Sequence, residues 1–154
     1  MKPVVKKATP AAIAVLRQAT ALSPSRAKAS DGLLPSAAHI SQSPNSDHNT
    51  GFAVDLTNDP KSGIDCHEIY MSLKTDKRVK YLIFKGLIWS PEKGDRPYTG
   101  SNPHNKHLHI SIKDNCGSDT SPWFPWLGKP KAINKVKAAV KPLPKKEAPT
   151  SPKE

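Results

Sequence analysis

The chain has 154 residues, enough for one domain with a real core, and no apolar run long enough to cross a membrane. Its formal net charge of +11 looks like a nucleic-acid signal, but the charge is not spread evenly. From Lys129 onward there are eight Lys and two Glu, whereas residues 1–128 hold 16 Lys and Arg against 11 acids. The basicity belongs to the ends, so composition gives no reason to expect a specific nucleic-acid partner.

In chain order, Lys2, Lys6 and Lys7 precede the short apolar run "AAIAVL". A secretory signal has a longer apolar segment and a small-residue cleavage site, so none is expected here. Pro10 to Leu22 reads as an amphipathic helix ended by Ser23-Pro24. Residues 25–50 are loop-like, with a short helix possible near Pro35 to Ile40. In "GFAVDLT", residues 51–57, Phe52, Val54 and Leu56 alternate with Ala53, Asp55 and Thr57, which is a strand pattern. Residues 65–76 suit a helix. "VKYLIFKGLIWS" reads as two strands around a Lys85-Gly86 turn, with Gly where positive φ is needed.

Residues 91–106 are rich in Pro and Gly and read as a loop. "HLHISIK" then forms a strand, with Leu108, Ile110 and Ile112 toward the core and His107, His109 and Ser111 on the other face. "SPWFPWLG", residues 121–128, reads as a segment closing over the core, or else as an aromatic wall beside a cleft. Tyr98 is a candidate for lining that cleft. Residues 129–154 are rich in Lys, Ala and Pro and lack aromatics, which predicts a flexible basic tail following a folded domain of residues 1–128. The mixture of helices and antiparallel strands predicts an α+β fold.

Cys66 and Cys116 are too few for a disulfide scaffold and are not in metal-binding CxxC spacing, so packing thiols are expected. His39 and His67 stand outside any pattern and read as ordinary surface residues.

The chemistry lies in two half-sites. In "NPHNKHLHIS" three of the six histidines, His104, His107 and His109, fall within six positions. Upstream, "SDHNTGFAVD" carries His48 before a strand and Asp55 within it, on the face opposite Phe52, Val54 and Leu56. If the two strands are neighbours, His48, Asp55 and His109 converge. Two imidazoles and one carboxylate form a zinc set of the catalytic type, with a position left open. A phosphodiester-cleaving site and a polar turn rich in Asn and Asp are the other readings of the same residues.

Ser46-x-His48-x-x-Gly51-x-Ala53-x-Asp55, followed by His107-x-His109, resembles the D-Ala-D-Ala carboxypeptidase-like zinc peptidases over about residues 20–127. That superfamily includes murein endopeptidases and the peptidases of phage endolysins, and it shares its fold with the hedgehog signalling domain. The resemblance implies a small antiparallel sheet flanked by helices, and zinc ligands at His48, Asp55 and His109. Many members keep a carboxylate base three positions before the last His, where this chain has Lys106. The His104-x-x-His107-x-His109 spacing is similar to that of the penicillin-insensitive murein endopeptidases, which implies that His104 or His107 serves as base or steadies the oxyanion. The family's upstream substrate Arg would fall on Arg26 or Arg17, with Arg26 preferred for its loop position.

Together these readings give a monomeric Zn2+-dependent peptidoglycan peptidase of the phage endolysin type. It would be made in the host cytoplasm without a signal peptide and act on the wall after release. The alternatives are a two-histidine phosphoesterase, suggested by His48-x-Thr50 and His109-x-Ser111, and a non-catalytic wall-binding or virion module stabilised by zinc. Deleting residues 129–154 should change stability by less than about 1 kcal/mol, a few degrees in Tm. A larger drop on thermal unfolding would mean that the tail docks on the domain.

Overall fold

Thr9 and Pro10 set where the first element begins. The Thr9 hydroxyl accepts from Ala12 N, and Pro10 occupies the first turn, where its missing N–H is not needed. The helix that follows, α1 (Pro10–Leu22), buries a stripe of small residues, Ala11, Ala12, Ala14, Val15 and Ala19. Small side chains let it lie close to the sheet. Here the chain is described by a computed structural model covering residues 7–35, 45–100 and 102–127. Residues 36–40 of the short helix expected near Pro35 to Ile40, His39 among them, and the tail from residue 129 lie outside the described residues.

The sheet has five antiparallel strands: β1 (Ala53–Thr57), β2 (Val79–Phe84), β3 (Leu87–Ser90), β4 (Gly94–Pro97) and β5 (His107–Ile112). Their spatial order is β1-β5-β2-β3-β4, so the last strand inserts beside the first. A second helix, α2 (Cys66–Leu73), starts at Asp65, whose carboxylate accepts from His67 N and Glu68 N. It is shorter than the 65–76 span expected from sequence.

The strand alternation divides the sheet into two faces. Val54 and Leu56, Leu82 and Phe84, and Leu108, Ile110 and Ile112 join both helices in one apolar core. The β2–β3 turn forms at Lys85 (φ 46) and Gly86 (φ 80), two positive φ values in succession, as a tight hairpin demands.

Residues 91–106 depart from the loop expected of them. Gly94 turns the chain at φ 67, and Asp95 to Pro97 then pair with β3. Gly, Asp and Pro are poor strand formers, which hid the strand. An edge position removes the objection, because Pro97 needs no ladder donor on its outer side. Asp95 is held from below by Tyr70 Oη and by Lys74 Nζ, the latter at 2.7 Å.

The segment after β5 closes over the core. Trp123 and Phe124 are buried, and Trp123 Nε1 donates to Ala11 O at 3.1 Å. Arg78 fixes this closure. Its guanidinium grips both oxygens of Asp76, donates to Asp119 O, Ser121 O and Pro122 O, and stacks 3.6 Å from the Trp123 ring centroid. Cys66 is buried and unpaired, with its thiol against Leu56 O, and Cys116 is likewise free.

Removing the Arg78 side chain would leave three carbonyls without that donor and the partly buried Asp76 carboxylate with the backbone N–H of residue 78 but without its ion pair. Arg78→Ala should therefore destabilise the protein by about 3 kcal/mol. Chemical denaturation followed by Trp fluorescence checks this, and a loss below about 1 kcal/mol would mean that the C-terminal segment holds itself.

Candidate metal centre

The two half-sites meet because β1 and β5 are neighbours. Asp55 lies directly across from His109 and Thr57 from His107, so their side chains share the face turned away from the helices. His48 reaches the same place from a 3-10 turn, Asp47–Thr50, capped by the Ser46 hydroxyl. The turn ends at Gly51 with φ 80, and a Cβ there would lie 2.9 Å from Lys7 O. Glycine is thus required both by φ and by space. Thr9 ties this turn to α1, since its N–H and its hydroxyl both donate to Gly51 O.

The donor atoms of His48, Asp55 and His109 all lie within 4.8 Å of one another, a group that can hold a metal ion. His48 Nε2 and His109 Nδ1 are each 3.2 Å from Asp55 Oδ1. The opposite nitrogens are anchored as well. His48 Nδ1 donates to Leu33 O at 2.8 Å, and His109 Nε2 bonds Ser111 Oγ at 2.8 Å. An imidazole whose far nitrogen is tied to a carbonyl or hydroxyl is oriented as metal-binding imidazoles are.

The tautomer argument carries further. With its Nδ1 proton given to Leu33 O, neutral His48 presents a bare Nε2 lone pair to a carboxylate oxygen. Two lone pairs at 3.2 Å repel unless a proton or a cation lies between them. In the absence of metal the proton fills that place. Burial works against the His48 imidazolium, yet the bond and charge of Asp55 raise its pKa above the ordinary 6.5. Burial alone would raise the Asp55 carboxyl, but bonds from His109 and His48 hold it far below the usual carboxylate range. A divalent cation satisfies the same three groups at once, so the donor set fits a metal.

His104 and His107 complete the ring. His107 Nε2 is 3.7 Å from Asp55 Oδ1. The His104 ring stands edge-on to those of His107 and His109, with centroids 4.9 and 5.6 Å away. His104 is buried and adopts φ 62, an unusual conformation for a large side chain, and its Nδ1 has no hydrogen-bond partner among the described residues. The strained loop is held by the hairpin turn, where Lys85 N donates to His104 O and Gly86 N to Pro103 O. Burial, then the neighbouring His109 and His107, push the His104 pKa down to about 4. Burial also lowers His107, with Asp55 pulling the other way.

Other residues singled out from sequence fall as follows. Tyr98 stands edge-on to His104 at 5.5 Å, beside the cluster. Lys106 is exposed, and so is His67. Arg26 is not brought to the cluster. It is 3% exposed and pairs bidentately with Asp31, with further bonds to Thr20 Oγ1 and Ala27 O. That guanidinium fastens a loop: Asp31 in turn accepts from Thr57 N and Thr57 Oγ1, and Gly32 pairs with Asp55. It is not a surface residue, because a carboxylate five residues away holds it in the interior. Arg17 is exposed on α1.

One site residue escaped the sequence reading: Tyr81 stacks on His109, with ring centroids 5.4 Å apart and planes 16° from parallel. Ser111, expected on the face of His107 and His109, fixes the far nitrogen of His109. The alternation of β2 carried the signal for Tyr81, since a Tyr opposite Leu82 belongs to the polar face.

His109→Ala should abolish stoichiometric zinc binding while the chain stays folded. Full occupancy by metal analysis would show that the ligand set is wrong. Acid should also destabilise the metal-free protein. Between pH 6.5 and about 4 the unfolded chain takes up a proton that folded His104 refuses, so stability falls as pH falls through that window. His48, whose pKa is raised, contributes fully throughout that window and loses its contribution only at higher pH. His104→Asn should therefore flatten the fall in Tm from pH 6.5 to 4, and an unchanged slope would contradict the assignment.

Comparison with protein-family models, with curated proteins and with solved structures yields no significant match, so the reading of function rests on this geometry.

Proposed function

We propose that the chain is a zinc-dependent peptidase that hydrolyses amide bonds of peptidoglycan stem peptides or cross-links, in the manner of a phage endolysin. The observation that carries the reading is the meeting of His48, Asp55 and His109 with two further imidazoles beside them. A purely structural zinc site is closed by four protein ligands, whereas three ligands with proton-transfer groups alongside suit catalysis. The α+β architecture, a five-stranded antiparallel sheet with two helices, is compatible with the D-Ala-D-Ala carboxypeptidase-like fold. No helix among the described residues is long and apolar enough to cross a membrane.

His48, Asp55 and His109 would hold a zinc ion, which would supply Lewis acidity to the scissile carbonyl and the attacking water. The remaining work falls to this chain's own groups. His107 is neutral at physiological pH, and it is the less enclosed of the two spare imidazoles, so it takes the proton from water and returns it to the leaving amine. His104, with its pKa near 4, is a weak proton acceptor at neutral pH. Its role is to orient the water or the tetrahedral oxyanion by a hydrogen bond.

The phosphoesterase alternative has no observation in its favour. The Thr50 hydroxyl donates to Asp47 O inside the 3-10 turn, and that reading leaves Asp55 without a role. Mass spectrometry of purified peptidoglycan after digestion tests the proposal directly. Release of fragments with new amino termini is expected. Retained zinc and wall binding without any cleavage would instead make the chain a non-catalytic wall-binding module.

His107→Ala should keep zinc and lose about two to four orders of magnitude in muropeptide hydrolysis. His104→Ala should lose less. Activity within a few-fold of wild type for both variants, at full zinc occupancy, would sink the histidine mechanism.

A further inference from the structure

The polar face of the sheet does not end at the histidines. Across five positions the strand pairing forms one straight row: Asp55 opposite His109, His109 opposite Ile83, Ile83 opposite Ile88, and Ile88 opposite Arg96. Directly opposed residues project to the same face. The row thus begins at the candidate metal ligands on β1 and β5 and ends at a guanidinium on β4.

At that far end lies a groove of about 600 Å³. Lys80, Lys93, Arg96 and Lys113 bring four positive charges to its walls, against the carboxylates of Glu92 and Asp114. Lys80 is partly engaged, since its Nζ lies 3.1 Å from Asp47 Oδ2. Arg96 differs. Its Nε is buried and has no hydrogen-bond partner among the described residues. A buried guanidinium N–H without an acceptor is costly, and an anionic ligand removes that cost. By contrast, Arg26 holds a carboxylate, a hydroxyl and one carbonyl, and Arg78 holds a carboxylate and three carbonyls.

The groove and the metal centre share a wall. Tyr81 lines the groove, and its ring stacks on His109. Three strand spacings separate Arg96 from His109, about 14 Å at roughly 4.8 Å per strand. An extended peptide covers that span with about four residues.

We propose that this groove is a substrate subsite that binds a carboxylate of an acidic peptide through Arg96 and Lys113, about four residues from the bond that the metal centre cleaves. The inference rests on the peptidase reading for the cleaved bond, and on the row and the groove alone for the carboxylate. Ile88 gives the middle of the row an apolar floor, which suits an aliphatic side chain between the charged ends.

The test uses the full zinc-loaded chain and a stem tetrapeptide with free carboxylates, beside the same peptide fully amidated. Calorimetry should give a Kd for the acidic peptide about tenfold lower than for the amidated one, the scale of one charge-assisted contact. Arg96→Gln should erase that preference, Arg96→Lys should keep part of it, and Lys113→Gln should reduce it with Tm unchanged. Equal affinity for the two peptides, or a preference that survives both Gln substitutions, would overturn the subsite. Tighter binding of a single-stranded oligonucleotide than of the acidic peptide would overturn its assignment to peptide carboxylates. Hydrolysis measured on the same samples separates the two ideas. Cleavage without carboxylate preference refutes the groove and leaves the peptidase, and carboxylate preference without cleavage refutes the peptidase and leaves the groove.

Discussion

The carboxylate of Asp55 organises this molecule's polar face. Its side chain is 18% exposed, and its ion-pair partners among the described residues are three imidazoles, His48, His107 and His109. Neither lysine nor arginine neutralises it there. A partly buried anion whose ion-pair partners are imidazoles is a poor device for stability, because an imidazole neutralises it only while protonated. Such an arrangement makes physical sense where a cation completes it. The surroundings of Asp55 are built accordingly. Gly32 flanks it on one side, where a Cβ would stand 3.2 Å from Oδ2, and β5 flanks it on the other. The 3-10 turn that carries His48 is fastened to α1 through Thr9, so even the first helix serves the position of one imidazole.

Much of this was legible in the sequence, and the period of two explains why. "HLHISIK" and "GFAVDLT" each state a core face and a polar face, and once they are neighbours the meeting of Asp55 with His109 follows from geometry. The Lys85-Gly86 turn was legible for a similar reason, since few residues tolerate two successive positive φ values. What escaped needed information from elsewhere in the chain. β4 is made of Gly, Asp, Arg and Pro, and only its pairing with β3 makes it a strand. Tyr81 became a site residue because β5 inserts between β1 and β2, a strand order that local pattern cannot give.

The arginines show the same limit more sharply. Arg26, Arg78 and Arg96 are indistinguishable as letters. Their roles were decided by which acceptors the fold brings to them. Asp31 and Asp76 lie five and two residues from their arginines, and each captures a guanidinium that then fastens loops. Arg96 sits on an edge strand whose neighbouring acid, Asp95, points to the opposite face, where Tyr70 and Lys74 hold it. The alternation of β4 thus separates Arg96 from the nearest acid that could have neutralised it, and aims it across the face that carries the histidines.

That separation bears on how precisely the site can work. Catalytic and binding groups set on strands are positioned better than groups set on loops, because the ladder fixes their spacing. Here His109, Asp55 and Arg96 all stand on strands of one sheet, and a slip of one residue in any of them would turn its polar side chain into the core. The apolar residues on the other face, Val54 and Leu56 on β1 and Leu108, Ile110 and Ile112 on β5, therefore enforce the register of the site from behind. Two of the imidazoles stand off the strands: His48 on its 3-10 turn, which Thr9 fastens to α1, and His104 on a loop in a strained conformation. The backbone of His104 is tied to the Lys85-Gly86 turn, so the hairpin transfers the rigidity of the sheet to this loop histidine.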